Sequence, residues 1–592
     1  MYKAPVEDIA FTLRHVAGLS EAIEKGLLGD LSEDLVDAIL GEAGRFATEE
    51  IAPRAEIGDR QGARLVDGEV KTPDGWTKLY KDWTAGGWNG LTGPEEYGGQ
   101  GLPNMLNVAA LEMWNSGATA FALCPTLTMG AVEALSTHGS PELRQKYLAK
   151  LISGEWTATM NLTEPHAGSD VGALTSRADR REDGTYRLFG QKIFITWGEH
   201  DATDNIIHLV LARLPDAPAG TRGISLFLVP KFLVNDDGSL ARRNDVFCHS
   251  LEHKMGIHGS PTCTMIYGDG RFGGERGAVG WLVGEENKGL NCMFTMMNNA
   301  RLTVGMQGVA IAEAATQKAI AYAMERKQGR APGWSGNGMS PIIEHPDVAR
   351  MLLTMKALTQ GSRAISYACA HAIDMSHRVG KDRQHWQERA ALLTPIAKSF
   401  ATDAGVDVAS LGVQVHGGMG FIEETGAARL LRDARIAPIY EGTNGIQAID
   451  LVTRKLQLSN GDHVKGLLAE LRDIADQVGS SNLDGFGKTA ARLGSAIADL
   501  EQATGWLLKV QADGRMAEAL SGATPYQRLF GLVLTGSYLA KGGLARVSDG
   551  ADESRIALCR FAAENLLSET AALKDRVING ADSLAAARVA LA

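Results

Sequence analysis

The sequence predicts a multidomain α+β protein. It reads as an α-helical N-terminal domain, a middle β-barrel or sandwich, a helical bundle and an extra helical C-terminal domain. Three observations carry this. The chain has 592 residues, too many for one hydrophobic core. Apolar residues recur at helical spacing on both sides of a stretch of short Ile-, Leu-, Val- and Phe-rich runs, which are strand signals. The helical spacing then continues in an alanine-rich segment beyond Leu456.

Taken in order, the run from about Leu31 to Glu155 is helical. Leu35, Ile39 and Ala43 fall on one face, and Ser32 suits a helix start. GPEEYGGQGLPN (Gly93 to Asn104) is a glycine-rich loop between helices. This predicts an N-terminal domain with its extension over residues 1–157. The texture changes after Thr157: YRLFGQKIFIT, IIHLVLARL and ISLFLVPK are separated by Gly, Asp and Pro. A β-domain is predicted over 158–285, closing near GWLVGEENKGL. The helical period then returns. Val348, Met351, Leu352, Met355 and Leu358 form one apolar face, and a bundle is predicted over 286–456. The last domain, 457–592, carries 14 Lys and Arg against 16 Asp and Glu, so it is not a basic tail. No internal repeat or low-complexity tract interrupts this order.

Composition narrows the class. An apolar fraction of 44% and a charged fraction of 22% suit a soluble globular protein. Acidic residues outnumber basic ones, 70 to 59, which argues against a nucleic-acid partner needing clustered cations. The six cysteines are scattered and form no C-x-x-C pair, which suits free thiols in a reducing compartment. The N-terminus has no basic region followed by an apolar run. LFGLVLTGSYLA (Leu529 to Ala540) is too short to span a bilayer. A cytoplasmic location without a membrane span is expected.

Five stretches offer chemistry. NLTEPHAGSDVG (Asn161 to Gly172) presents Thr163, Ser169 and close-approaching glycine backbone, which can hold a pyrophosphate or ring edge without a lysine; the alternative is an ordinary connecting loop. GQKIFITWGEHD places Phe194 and Thr196 at one strand parity, so both face one side; the alternative is a core Phe with a surface Thr. VQVHGGMGF (Val413 to Phe421) follows a helix and lacks dinucleotide-fingerprint spacing, so no Rossmann domain is expected, and His416 reads as a packed or capping residue. HSLEHKMGIH sets His249 and His253 four apart, but no third ligand is suitably placed and no metal is expected. PIYEGTNGIQ holds Glu441 beside Gly442 in a run without helical or strand period, as in a loop packed against something.

Together and in this order, LTEPHAGSDV, GQKIFIT, ERKQG (Glu325 to Gly329), QVHGGMGF and RDARIAPIYEGTNGIQ resemble the acyl-CoA dehydrogenase family over about Phe46 to Leu456. The resemblance implies the acyl-CoA dehydrogenase fold, an FAD cofactor and α,β-dehydrogenation of an acyl-CoA thioester. It implies Glu441 as the base taking the α-proton, with Gly442 giving the backbone room and Arg301 beside the acyl-CoA. Leu162, Thr163, Ser169, Phe194, Thr196 and Thr443 match flavin or FAD-phosphate contacts. Arg326, Gln414, Gly417 and Gly418 match contacts to the FAD of a neighbouring subunit, which implies at least a homodimer. An electron-transfer flavoprotein is the implied acceptor.

Two departures stand out. RKQGR lacks the usual Phe, which puts the adenine-side contact of Gln328 in question, and Gly445 replaces a frequent Gln. The family's other base position is Ala300, which cannot accept a proton. The N-terminal YKAPVEDIAFTL and the extra C-terminal segment resemble the long bacterial branch that includes 3-methylmercaptopropionyl-CoA dehydrogenases of dimethylsulfoniopropionate breakdown. Alternatives are a broad medium- or long-chain fatty acyl-CoA dehydrogenase, an oxidase using oxygen directly, or a DNA-associated alkylation-response flavoprotein. The near-neutral charge after Leu456 speaks against the last.

Overall fold

The computed structural model describes residues 1–547 and 550–591, with side chains throughout these except at 294–298, 546–547 and 550–551. The chain forms two compact units, one of residues 1–44, 104–116 and 301–592, the other of residues 45–103 and 117–300.

The second unit is built on a mixed sheet. Its strands are β1 (Thr157–Asn161), β2 (Arg177–Arg180), β3 (Tyr186–Thr196), β4 (Ile206–Arg213), β5 (Ile224–Pro230), β6 (Val246–Leu251), β7 (Thr262–Tyr267) and β8 (Ala278–Val283). They lie in the order β6-β7-β3-β8-β5-β4-β1, with β2 paired to β3 and β4. Only β1–β4 and β2–β4 are parallel. The central strands β4 and β5 are buried on both faces, which explains their continuous apolar runs. Alternation divides them between two cores. Leu209, Leu211, Leu226 and Leu228 pack with Leu135, Tyr147, Leu148 and Trp156. Val210, Ala212, Phe227 and Val229 pack with Val246, Cys263 and Met265.

β3 departs from simple alternation at its functional end. Cys263 pairs with Ile195, but Met265 pairs with Lys192, so an extra residue bulges from β3. Phe194 lies in that bulge with φ +59°, and Trp197 follows with φ +53°. Trp197 is pinned there: its backbone N–H donates to Pro261 O at 2.7 Å, its Nε1–H donates to Ala120 O at 3.2 Å, and its ring stacks on Trp76.

The first unit is helical. The Pro346–Arg378 and Arg383–His416 helices, joined by a four-residue link, pack along each other as a hairpin. The Ala523–Leu544 helix of the C-terminal domain lies against both. Its approach is close enough to require glycine: a Cβ on Gly531 would sit 2.2 Å from the Phe400 ring, and one on Gly361 would meet Thr535 at 2.3 Å. Gln527 Nε2 donates to Pro395 O at 2.8 Å across the same seam. The apolar run Leu529–Ala540 is therefore the buried centre of this domain. The N-terminal segment also packs on it. Arg555 lies 3.6 Å over the Phe11 ring and pairs with Asp8 at 2.7 Å, while Lys541 Nζ donates to Val16 O at 2.8 Å. Ser32 caps its helix as expected, its Oγ accepting from Leu35 N at 3.3 Å.

Among the described residues one helix, Asn104–His138, is long and apolar enough to cross a membrane, which the sequence reading did not single out. In its most apolar window 72% of residues are buried, and it breaks from helical geometry at Ala118 (φ −159°, ψ 96°). These are properties of a core helix.

Candidate active site

In the second unit, the loop after β1 and the end of β3 bring together Leu162, Thr163, Phe194 and Thr196. Ile193 N–H donates to Thr163 O at 3.0 Å. Below them, fully buried Lys192 donates to Leu162 O at 3.0 Å and to Glu164 Oε1 at 2.8 Å. Glu164 also accepts from Thr175 N, Thr175 Oγ1 and Ser176 N at 2.7–3.0 Å. Burial opposes charge on both partners, but the ammonium and these donors hold the Glu164 carboxyl down at about 2. Burial pulls Lys192 down to about 8, against the attraction of Glu164. One ion pair thus ties the start and end of the 162–176 loop to the strand beside it.

What this frame presents outward is uncommitted. Phe194 is 58% exposed despite its size. Among the described residues, the hydroxyls of Thr163, Ser169 and Thr196 have no hydrogen-bond partner. Exposed Ser169 lies further along the loop, before Asp170, whose carboxylate accepts from Gly172 N at 3.0 Å. An exposed aromatic, three open hydroxyls and exposed Gly168 suit a large flat ligand with a phosphate tail.

In the first unit, Pro438–Asn444 is a turn closed by Asn444 N–H donating to Pro438 O at 3.0 Å. Glu441 stands on it with φ +53°, and Gly442 follows with φ +85°. A Cβ on Gly442 would lie 2.5 Å from Gln447 Nε2, so the position excludes side chains twice over. Thr443 caps the next helix, Asn444–Asp450, its Oγ1 accepting from Ile446 N at 3.2 Å. Tyr440 OH donates to Gln307 Oε1.

Burial pushes the half-buried Glu441 carboxyl above its ordinary range, while the charges of Lys398 and Arg301 pull it back. Arg301, with 13% of its side chain exposed, lies 3.6 Å from Asp450. Burial lowers its guanidinium, while Asp450 and Glu441 favour its charge. Its Nε and both amide atoms of Gln447 are buried without partners among the described residues. Such open donors and acceptors around a carboxylate suit a polar ligand group.

A third set lies on the surface of the same unit. Tyr322 stacks on His416 at 4.4 Å, which brings the end of the Gly289–Glu325 helix to the end of the Arg383–His416 helix. Arg326, Gln414, Gly417 and Gly418 are exposed there. Arg326 donates to Gln328 Oε1 at 3.3 Å. Gly417, at φ +60° and ψ −140°, ends the helix in a conformation reserved for glycine. His416 is a packed residue, hydrogen-bonded to Gly412 O at 2.7 Å. His249 lies in β6 and His253 in the loop after it, and no metal-holding group occurs among the described residues.

Several of these groups escaped the sequence reading: Glu164, Lys192, Lys398, Asn444 and Asp450. A signal existed for two. Lys192 and Lys398 are lone cations inside apolar runs, KIFI and LLTPIAKSFA, where a charge needs a built partner.

Four family models match in series: the acyl-CoA dehydrogenase N-terminal domain over residues 34–155, middle domain over 159–269 and C-terminal domain over 287–456, and an acetyl-CoA dehydrogenase C-terminal-like domain over 467–588. This order defines an oxidoreductase of the CH–CH class acting on acyl-CoA thioesters. The chain belongs to the acyl-CoA dehydrogenase family, whose members depend on FAD. It is 45% identical to 3-methylmercaptopropionyl-CoA dehydrogenase of Ruegeria pomeroyi, over 98% of this chain and 99% of that one. It is 32% identical to the broad-specificity linear acyl-CoA dehydrogenase FadE5 of Mycobacterium tuberculosis, over 91% and 95%. Caenorhabditis elegans ACDH-11, solved with C11-CoA, shares the fold at a TM-score of 0.77 and 22% identity, covering 98% of this chain and 95% of that one.

Proposed function

We propose that this acyl-CoA dehydrogenase uses Glu441 to remove the α-proton of its substrate. The observation that carries this is a half-buried carboxylate on a strained turn, above its ordinary pKa range through burial, with Arg301 and Lys398 nearby. A base of raised pKa is better matched to a weakly acidic α-carbon, and Ala300 offers no competing carboxylate. Gly442 lets the backbone come close to the thioester, and the Glu441 N–H polarises its carbonyl. Arg301 holds the acyl-CoA beside the base.

Leu162, Thr163, Ser169, Phe194 and Thr196 would hold FAD through the open hydroxyls and the exposed ring, and Thr443 would serve its phosphates. When bound, the flavin supplies the acceptor for the hydride leaving Cβ. Arg326, Gln414, Gly417 and Gly418 serve the FAD of a second copy in a homodimer. An electron-transfer flavoprotein collects the electrons, and the enzyme works in the cytoplasm.

The substrate is 3-methylmercaptopropionyl-CoA, oxidised to 3-methylthioacryloyl-CoA; the near-full-length similarity to the Ruegeria enzyme supports this. Similarity to a broad-specificity linear enzyme supports the second reading. A steady-state panel of acyl-CoAs with an artificial acceptor separates them. The thioether substrate should give the highest kcat/KM, whereas a flat or long-chain-favouring profile selects the second.

A further inference from the structure

Beneath the Glu441 turn lies a polar cluster that the reaction as described leaves unused. Asn444, three residues after Glu441, closes the turn through its backbone and is buried. Its side chain reaches into the Arg383–His416 helix: Nδ2 lies 2.7 Å from Asp403 Oδ1, 3.0 Å from Thr402 Oγ1 and 3.2 Å from Ser399 O. Its Oδ1 accepts from Lys398 Nζ at 2.8 Å. Lys398 is fully buried, and Asn444 is the only hydrogen-bond partner of its ammonium among the described residues.

A buried ammonium is costly unless something nearby needs its charge. The charged groups around it are Asp403 on its own helix, Glu441 in the turn and Arg301 on the Gly289–Glu325 helix. Asp407 and Arg528 act in turn on Asp403. Tyr440 is hydrogen-bonded away to Gln307. Asp403, which also accepts from Asn444, and Glu441 are the two anions whose charge acts on Lys398.

We propose that Lys398 and Asn444 are the positioning pair for Glu441: the amide clamps the turn to the helix, and the ammonium keeps the neighbouring carboxylate ionised and ready to accept a proton. This deepens the reading of Glu441 as the base and rests on it. Burial works against charge on Glu441, and a base that is already protonated cannot act. The cation favours the carboxylate form against burial without bonding to it, so its lone pairs stay open for the α-proton.

The test is anaerobic reduction of the bound flavin by acyl-CoA over about pH 6–10, in the holoenzyme and four variants. Lys398→Gln keeps a donor for Asn444 Oδ1 but removes the charge. Its rate should fall on the order of tenfold near neutrality and recover as pH rises, displacing the rising limb of the profile. Lys398→Arg should return the limb toward its parental position. Asn444→Ala should lower the rate across the profile while FAD content is unchanged. An infrared band of protonated carboxyl, assigned by its absence in Glu441→Gln, should be present at neutral pH in Lys398→Gln and absent in the parent. A Lys398→Gln profile that superimposes on the parent's, or falls without displacement, overturns the charge role. A parental rate in Asn444→Ala overturns the clamp and remains readable if Lys398→Gln does not fold. Glu441→Gln separates the two levels: if it reduces flavin at the parental rate, the base assignment itself fails, whereas its loss beside an undisplaced Lys398→Gln profile removes only the present proposal.

Discussion

Glu441 is a non-glycine residue held at positive φ next to a glycine also at positive φ. The left-handed region costs an L-residue roughly 1–2 kcal/mol, so the Asn444 clamp and the turn hydrogen bond must hold it there. Glu441→Gln keeps size and backbone while removing the proton acceptor. FAD should remain bound, and substrate-driven flavin bleaching should slow by on the order of 10²–10⁴; bleaching as fast as in the parent would remove Glu441 from the mechanism. Gly442→Ala tests the backbone instead. The new Cβ meets both the unfavourable φ and the Gln447 amide at 2.5 Å. Stability should drop by about 1 kcal/mol or more, and flavin reduction should fall further because the turn moves. A variant with parental reduction kinetics would show that this glycine is not needed. The Glu441–Gly442 pair was legible because a charge beside glycine in an aperiodic run marks a packed loop. Lys398 and Asn444 were not, because they lie 46 residues apart and only the fold brings them together.

At the scale of elements, the strands were readable because their two-sided burial leaves long apolar runs, as in β4 and β5. Strand parity does not account for Phe194: the alternation expected with Thr196 is broken, and the bulge exposes Phe194 by rotating the backbone rather than by strand period. Bulges depend on the partner strand's register, which a single run of residues does not encode. The loop frame held by Glu164 and Lys192 gives a testable element. Glu164→Gln leaves Lys192 buried without its ion-pair partner, and breaking such a pair costs roughly 3–5 kcal/mol. FAD should dissociate more readily, as read by recovery of flavin fluorescence, while the Glu441 turn in the other unit is untouched. Unchanged retention of FAD would mean the frame does not hold the cofactor loop. The pH dependence has a definite sign. The folded carboxyl is depressed to about 2 from 4.5, so its contribution is complete above the ordinary carboxylate range and fades as pH falls from there toward 2. Acid titration of the parent should show destabilisation in that window, and Glu164→Gln should lack that component.

For the whole molecule, the α, β, α, α order was visible in periodicity, but the grouping into compact units was not. The first unit gathers three separate segments, and its N-terminal piece packs on the last domain through Arg555, Asp8, Phe11 and Lys541. Contacts between opposite ends of a chain leave no local pattern. The proposed homodimer bears on this unit's surface. Met419, Phe421, Ile422 and Ile439 are 48%, 85%, 45% and 50% exposed, and the first three lie beside Gly417 and Gly418, on the surface proposed to serve a second copy's FAD. Exposed apolar groups clustered with polar ones mark an interaction surface more often than a solvated face. A homodimer covering them would complete two FAD sites at once, so assembly and cofactor retention should be linked. Light scattering of the holoprotein should give twice the chain mass. Phe421→Asp, which places a charge in the middle of the patch, should shift the protein toward monomer and lower its FAD content, with Glu441 and its turn unaltered. A fully flavinylated, active monomer, in the parent or in this variant, would show that one chain completes its own site.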